Sequence, residues 1–220
     1  MNLAEEFALL AYGDDGAPVT DGIHLDNGLA GALLLELALA GRADIEEKNV
    51  VIRDATPTGD PLVDDALARI AADEKNRKPS HWVSKLAKDA RKRTMERLVE
   101  TEVLEKQKDK VLLVFNRTRY PAPHGVQPTP ETEARQRLTA AVTTSAVPDP
   151  RTAALCALVG ATDLDRKIFR ELDRKEVKAR LKEISEGSWA AAAVKSTIDS
   201  IQAAIMVSIV AATSTAAATS

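Results

Sequence analysis

The chain has 220 residues, a formal net charge of −3, 45% hydrophobic residues and 29% charged residues. These values are typical of a soluble globular protein, and they exclude a disordered chain or a protein that coats nucleic acid over its whole surface. Only 3% of the residues are aromatic, and Ala and Leu dominate the apolar set, which predicts a core built mostly from α-helices. The single cysteine, Cys156, cannot form an intrachain disulfide, and its apolar neighbours predict a buried, inert thiol.

The first predicted element is a short amphipathic helix over residues 2–12. Glu5 and Glu6 lie in its early turns, where the helix dipole favours negative charge. Adjacent residues point to different helix faces, so the pair is not expected to act as a general acid and base. We expect both carboxylates to be solvated caps.

The next segment predicts the central helix of the fold. NGLAGALLLELALAGR is apolar almost all round, which is typical of a helix buried on every side. Asp26 or Asn27 is the expected N-cap, and Gly41 is expected to end the helix. Residues 43–54 then alternate around a Lys-Asn turn, which predicts a β-hairpin.

The middle of the chain repeats the order of helices followed by a hairpin. Residues 56–72 predict a helix with Pro61 in its first turn. The segment HWVSKLAKDARKRTMERLVETEVL predicts one or two helices. Residues 102–115 predict a second hairpin, with KQKDK at its tip.

The rest of the chain predicts a helical C-terminal half that follows a Pro-rich surface connection at 118–130. The apolar run IQAAIMVSIVAA (201–212) is shorter than the roughly 20 residues that a membrane span needs, so we expect a buried or docking helix. Residues 1–220 are therefore predicted to form one mostly α-helical domain with two surface β-hairpins in winged-helix-like units.

The sequence offers no motif that indicates an enzyme, a cofactor or a structural metal. Its three histidines are scattered, and neither a nucleophile elbow nor a phosphate-binding loop is present. The glycines of NGLAG open an apolar helix, where close helix packing explains them better than phosphate binding does. We expect no catalytic residues, no metal ligands and no cofactor.

The strongest chemical signal is a basic stretch between residues 75 and 97. It holds nine Lys or Arg against two acids. On a single helix Lys85, Lys88 and Lys92 would form one stripe, with Arg91 one turn from Lys88, and such a stripe suits phosphate oxygens. A solvated helix face is the simpler interpretation. A winged-helix DNA-binding unit is another, although the stretch lacks the side chains that usually read base edges.

The order of several segments resembles the Golgi phosphoprotein 3 family over nearly the whole chain. The segments that carry the resemblance are LAEEFALLAY, GLAGALLLELALAGRADIE, TPTGDPLVDDALARI, RKRTMERLVETEVLEKQKDKVLLVF, DPRTAALCALVGATD and the closing segment around Trp189. The resemblance implies a mostly α-helical fold with surface hairpins and a non-enzymatic peripheral membrane protein. Its eukaryotic members bind the headgroup of phosphatidylinositol 4-phosphate and capture the cytoplasmic tails of glycosyltransferases.

The resemblance also implies which residues form the lipid site. The two arginines of the family's basic helix fall on Lys88 and Arg91, so positive charge is retained at both positions. The family's pocket arginine and tryptophan fall on Ala30 and near Asp21, where neither side chain is present. We therefore expect weaker attraction to anionic headgroups rather than a complete phosphoinositide pocket.

We expect a cytoplasmic protein whose function depends on peripheral association with a membrane. Lys88 and Arg91 are the predicted headgroup ligands, and Lys85 and Lys92 are the predicted auxiliary basic surface. Expected partners are an anionic, phosphoinositide-type headgroup, the tails of membrane enzymes and a second copy of the chain. A DNA-binding protein and a protein-interaction scaffold without lipid specificity are the alternatives.

Overall fold

A computed structural model describes residues 1–111, 115–186 and 192–218, and most of these residues are helical. The helices of the described residues are α1 (Leu3–Ala11), α2 (Gly22–Leu39), α3 (Pro61–Ala71), α4 (Pro79–Leu86), α5 (Ala90–Glu100), α6 (Thr129–Thr143), α7 (Pro150–Ala161), α8 (Asp165–Ile168), α9 (Arg174–Glu186) and α10 (Ala192–Ala218). The mostly α-helical prediction is confirmed. Trp189, which contributed to the resemblance, lies outside the described residues.

Two antiparallel hairpins accompany the helices. In the first, β1 (Ala43–Glu46) pairs with β2 (Asn49–Ile52), as the alternation of the sequence predicted. In the second, β3 (Gln107–Val111) pairs with β4 (Phe115–Arg119). The prediction for KQKDK was wrong, because these residues enter β3 rather than form the tip. The strand β4 also takes the start of the Pro-rich connection.

Helix α2 is the centre of the core, and its start differs from the prediction. It begins at Gly22 rather than after Asp26 or Asn27, because the Asp21 side chain accepts hydrogen bonds from the amides of Ile23 and His24. This cap satisfies two of the amide groups that a helix leaves unpaired at its start.

The C-terminal end of α2 follows the prediction. Gly41 adopts a φ of +68°, and the amide of Arg42 bonds to the carbonyl of Leu37. This left-handed turn is one that glycine adopts without a steric cost, and it turns the chain directly into β1.

The glycines of α2 serve helix packing, as predicted. A Cβ at Gly28 would collide with the Phe7 ring of α1, and one at Gly31 would collide with Ile205 of α10. The absence of side chains at both positions allows α1 and α10 to approach the backbone of α2 closely.

The basic stretch forms two helices rather than one. Helix α4 ends at Leu86, and α5 begins at Ala90, so Lys88 lies in the junction between them. The single stripe of Lys85, Lys88 and Lys92 predicted for one continuous helix is therefore wrong. The carboxylate of Asp89 is held by Arg69 of α3, with a distance of 2.9 Å between Arg69 Nη1 and Asp89 Oδ1, which fixes the chain at this break.

Helix α10 is longer than its apolar run indicated. It spans 27 residues, and both α2 and α10 are long and apolar enough to cross a membrane by length and composition. The two differ in burial, since 61% of the α2 segment but only 39% of residues 196–215 is buried. Helix α2 is thus a core helix, whereas α10 packs one side on the core and exposes the other.

Candidate functional site

The arginines of the basic stretch are engaged with carboxylates of neighbouring helices. Arg93 pairs with Asp65 and lies close to Asp89, and Arg97 Nε lies 4.0 Å from Glu5 Oε1. Arg77 pairs with Asp73 at a distance of 3.4 Å. The contacts of Arg93 and Arg97 fasten α5 to α3 and α1, and the Arg77–Asp73 pair lies within the connection between α3 and α4, so this part of the positive charge serves the fold.

Arg91 is also engaged, in a two-pronged ion pair with Asp26 of α2. Its Nε lies 2.8 Å from Asp26 Oδ1, and its Nη2 lies 3.1 Å from Oδ2. The guanidinium packs beside Gly22, where a Cβ would lie 3.5 Å from Nη2. Because the Nε and Nη2 groups of the guanidinium both face one carboxylate, an incoming phosphate would have to compete with Asp26 for this side of the arginine.

Burial raises the pKa values of two groups near Arg91. Desolvation raises the pKa of Asp26 above its ordinary value of 3.8, although the nearby charge of Arg91 lowers it. Desolvation also raises the pKa of the Tyr12 hydroxyl to about 12, again against the lowering effect of Arg91. Tyr12 therefore remains neutral near pH 7 and adds no charge to this site.

The two family positions that lack their expected side chains lie in different surroundings. Ala30 is completely buried in the core, in the middle of α2. Asp21 caps α2, and its Oδ2 lies 2.7 Å from Nδ1 of His24. The amide groups at the start of α2, which could otherwise bind an anion, therefore donate their hydrogen bonds to the Asp21 carboxylate.

The lysines of the stretch have a different environment from the arginines. Lys88 is exposed, and its side chain makes no ion pair or hydrogen bond with any described residue. Lys85 is exposed and lies over the Trp82 ring, with 4.6 Å from Nζ to the ring centre. Lys92 lies 3.9 Å from Glu96, and both side chains are largely in solvent. Positive charge that is available to a partner therefore resides mainly on lysines.

Asp26 is the site residue that the sequence did not reveal. It was interpreted only as a helix cap, yet it is the partner of Arg91 from a position 65 residues earlier in the chain. No local pattern signals such a pair, because it depends on how α5 packs against α2. The arrangement can attract a phosphate-bearing surface electrostatically, and the lysines supply most of that attraction.

The family model for Golgi phosphoprotein 3 (GPP34) matches residues 3–201 of the 220-residue chain. This family is generally associated with binding of phosphatidylinositol 4-phosphate and with adaptor function at the Golgi, and it is a non-enzymatic binding family. Residues 202–220, which include the second half of α10, lie beyond the match. The chain belongs to the Golgi phosphoprotein 3 (GPP34) family.

Proposed function

We propose that this protein is a non-enzymatic adaptor that associates peripherally with the cytoplasmic face of a membrane by binding anionic phospholipid headgroups. Lys88 and Arg91 are the central ligands, and Lys85 and Lys92 extend the basic surface. The observation that carries the proposal is the exposure of Lys88, which has no carboxylate partner among the described residues and lies three residues before Arg91 in the chain.

The expected binding depends more on charge than on the identity of the headgroup. Stereospecific recognition of a phosphate requires several fixed donors, and arginine forks are the most effective of these. Here Arg91 faces Asp26, and Asp21 adds a second negative charge at the start of α2. Each exposed lysine near the surface contributes about 1 kcal/mol of attraction to an anionic membrane.

Vesicle co-sedimentation tests the proposal directly. Vesicles of neutral phosphatidylcholine are compared with vesicles that contain phosphatidylglycerol or phosphatidylinositol 4-phosphate at matched surface charge. We expect binding to both anionic preparations, a decrease with added salt, and little preference between the two lipids. A strong preference for phosphatidylinositol 4-phosphate would show that a headgroup pocket exists despite the residues at positions 21 and 30.

Charge variants identify the surface that binds. Lys88→Glu/Arg91→Gln lowers the net charge by three and Lys85→Glu/Lys92→Glu lowers it by four, and each is expected to lower the affinity at least about tenfold. Lys175→Glu/Lys178→Glu on α9 is the control, since both of these lysines are exposed on a different element. Equal binding by all three variants and the wild type would refute the assigned site.

The two alternatives predict different results. A winged-helix DNA-binding protein would present α5 to the major groove, but Arg91, Arg93 and Arg97 of this helix are paired with carboxylates. Retardation of duplex DNA at low salt, lost in Lys88→Glu/Arg91→Gln, would favour DNA binding. A scaffold without lipid specificity would capture the tails of membrane enzymes equally well with and without vesicles.

A further inference from the structure

Helix α10 runs antiparallel to α2 and ends near the basic site. Near its start, Thr197 Oγ1 lies 2.7 Å from Asp44 Oδ1, just beyond the C-terminal end of α2. Further along, Ile205 packs against Gly31 in the middle of α2. The later turns of α10 therefore lie toward the N-terminal end of α2, where Gly22 contacts Arg91.

Helix α4 provides a second measure of the same geometry. Its Ser80 and Ser84 both lie 3.4 Å from the hydroxyl of Ser208 on α10, through a carbonyl oxygen and a hydroxyl respectively. The chain then continues from Ser84 through Lys85 to Lys88. The second half of α10 and the basic site thus share one end of the molecule.

The outward side of α10 at this end is apolar and uncharged. Met206, Val207 and Val210 are 53%, 59% and 63% exposed, and they follow one another at helical spacing on one face. We call these three residues the α10 face. No charged residue occurs between Ser200 and Ser220.

The α10 face differs from the other exposed apolar side chains. Val126 and Val147 are 69% and 71% exposed, but each lies alone in a connecting segment, between β4 and α6 and between α6 and α7 respectively. Scattered apolar residues of that kind are normal on a protein surface, whereas a contiguous apolar strip marks an interaction site. We therefore expect the α10 face to be covered by a binding partner.

The charges beside the α10 face indicate which occupant fits. A groove that runs from Ser196 and Ser200, near the start of α10, to Val207 is lined by Lys48 and Lys78, together with Glu47, and Lys85 follows on α4. Two lysines against one glutamate give the rim a net positive charge. An apolar strip with a basic rim matches the boundary between headgroups and acyl chains of an anionic bilayer.

We propose that the α10 face inserts into the headgroup and acyl boundary of an anionic bilayer while Lys88 and its neighbours contact the phosphates. This inference rests on the proposed function and adds to it an apolar anchor on α10. Stable membrane attachment generally needs two signals, because a basic patch or a short apolar contact alone gives marginal binding. Here one end of the molecule carries both.

A fluorescent probe on the α10 face tests the insertion. Cys156 is 2% exposed and burial raises its pKa to about 12, so a cysteine introduced at the surface can be labelled selectively. A polarity-sensitive dye is attached to Val210→Cys and, as the control, to Val126→Cys. With phosphatidylglycerol vesicles we expect a blue shift and quenching by brominated acyl chains for position 210 only.

Substitution of the α10 face supplies an independent readout. Val207→Asp/Val210→Asp is expected to lower vesicle affinity at least about tenfold, most clearly at high salt, where the lysines contribute least. Val126→Asp/Val147→Asp carries the same added charge and should bind like the wild type. Thermal unfolding of each variant verifies that the fold is retained.

The possible failures are distinguishable. If the wild type binds anionic vesicles but the dye at position 210 stays in a polar environment, the anchor is refuted and the proposed function stands. If the wild type binds no vesicle, the proposed function and the anchor both fail. If Val207→Asp/Val210→Asp converts a dimer to a monomer without changing vesicle affinity, the α10 face is a self-association surface and the proposal is overturned.

Discussion

The two ends of α2 use the same chemistry for different purposes. At the C-terminal end, Glu36 accepts a hydrogen bond from the amide of Leu3 at 2.6 Å and pairs with Arg151 of α7 at 3.1 Å. At the N-terminal end, Asp26 pairs with Arg91 of α5. Both ends thus hold an arginine from a distant part of the chain against a carboxylate of α2.

The difference lies in what remains unpaired around each arginine. Arg151 also contacts Glu6 Oε1 at 3.1 Å and the carbonyl of Met1 at 2.9 Å, and Arg137 takes the second oxygen of Glu6. This end is a closed network that joins α1, α2, α6 and α7. At the other end the lysines of α4, α5 and their junction are exposed, and Lys88 makes no ion pair or hydrogen bond with any described residue, so the closed end supports the fold and the open end is available for binding.

The largest expected effect comes from breaking the closed end. Arg151→Ala would leave Glu6 and Glu36, whose side chains are only 9% and 18% exposed, without their shared partner. Removal of one partner from such a network strands desolvated charge, and we expect a loss of about 3 kcal/mol in the free energy of unfolding. Urea unfolding followed by circular dichroism measures this loss.

The matched control for this change is Arg170→Ala. Arg170 pairs with Glu171, but both side chains are about four-fifths exposed, at 79% and 83%. An exposed pair contributes little, so we expect a change of at most about 0.5 kcal/mol. Similar losses in the two variants would mean that the network around Arg151 is no more important to the fold than a surface pair.

A smaller loss of stability is expected from a change in the middle of α2, where Gly28 lets α1 pack closely against this helix. Gly28→Ala would place a methyl group against the Phe7 ring and the side chain of Thr162. Overpacking of this kind costs about 2 kcal/mol of unfolding free energy, and chemical denaturation measures it.

Gly160→Ala on α7 provides the comparison for Gly28→Ala. A Cβ at Gly160 would have only Gln202 and Leu181 nearby, at 3.9 and 4.0 Å. Because alanine has the higher helix propensity, we expect this change to stabilise the protein by up to about 1 kcal/mol. A destabilising result at position 160 would show that loss of glycine is harmful for reasons other than packing.

Much of the fold could be predicted because its signals are local. Apolar content and periodicity predicted α2, and Gly41 predicted its end, since both depend on residues close in sequence. The prediction that Glu5 and Glu6 are solvated was wrong. Both are buried, because Glu5 closes a capping box with Asn2 and Glu6 meets Arg137 and Arg151 from far along the chain.

The candidate site could be predicted only in part for the same reason. The sequence identified where positive charge is concentrated, but it could not separate the partly buried ion pairs of the arginines from the exposed lysines. That separation depends on Asp26, Asp65 and Asp89 meeting α5 in the folded state. The blocks that carry the family resemblance include Glu36 and Arg151, so part of that signal reports the closed network rather than a binding site.

The smallest expected effect comes from removing the carboxylate that pairs with Arg91, and it is an effect on vesicle affinity. Asp26→Asn would remove the carboxylate that pairs with the Nε and Nη2 groups of Arg91, and would so release the guanidinium for lipid phosphates. We expect affinity for phosphatidylglycerol vesicles to rise about fivefold, which corresponds to about 1 kcal/mol for one additional cation at the surface. Co-sedimentation at constant salt measures the change.

The pH dependence of binding distinguishes release of Arg91 from a general charge effect. Burial raises the pKa of Asp26 above 3.8, so its carboxylate becomes protonated as the pH falls through that raised value, and Arg91 is then freed in the wild type as well. The affinity of the wild type should therefore approach that of Asp26→Asn toward acid pH. A ratio of the two affinities that stays constant with pH would mean that Asp26 does not control access to Arg91.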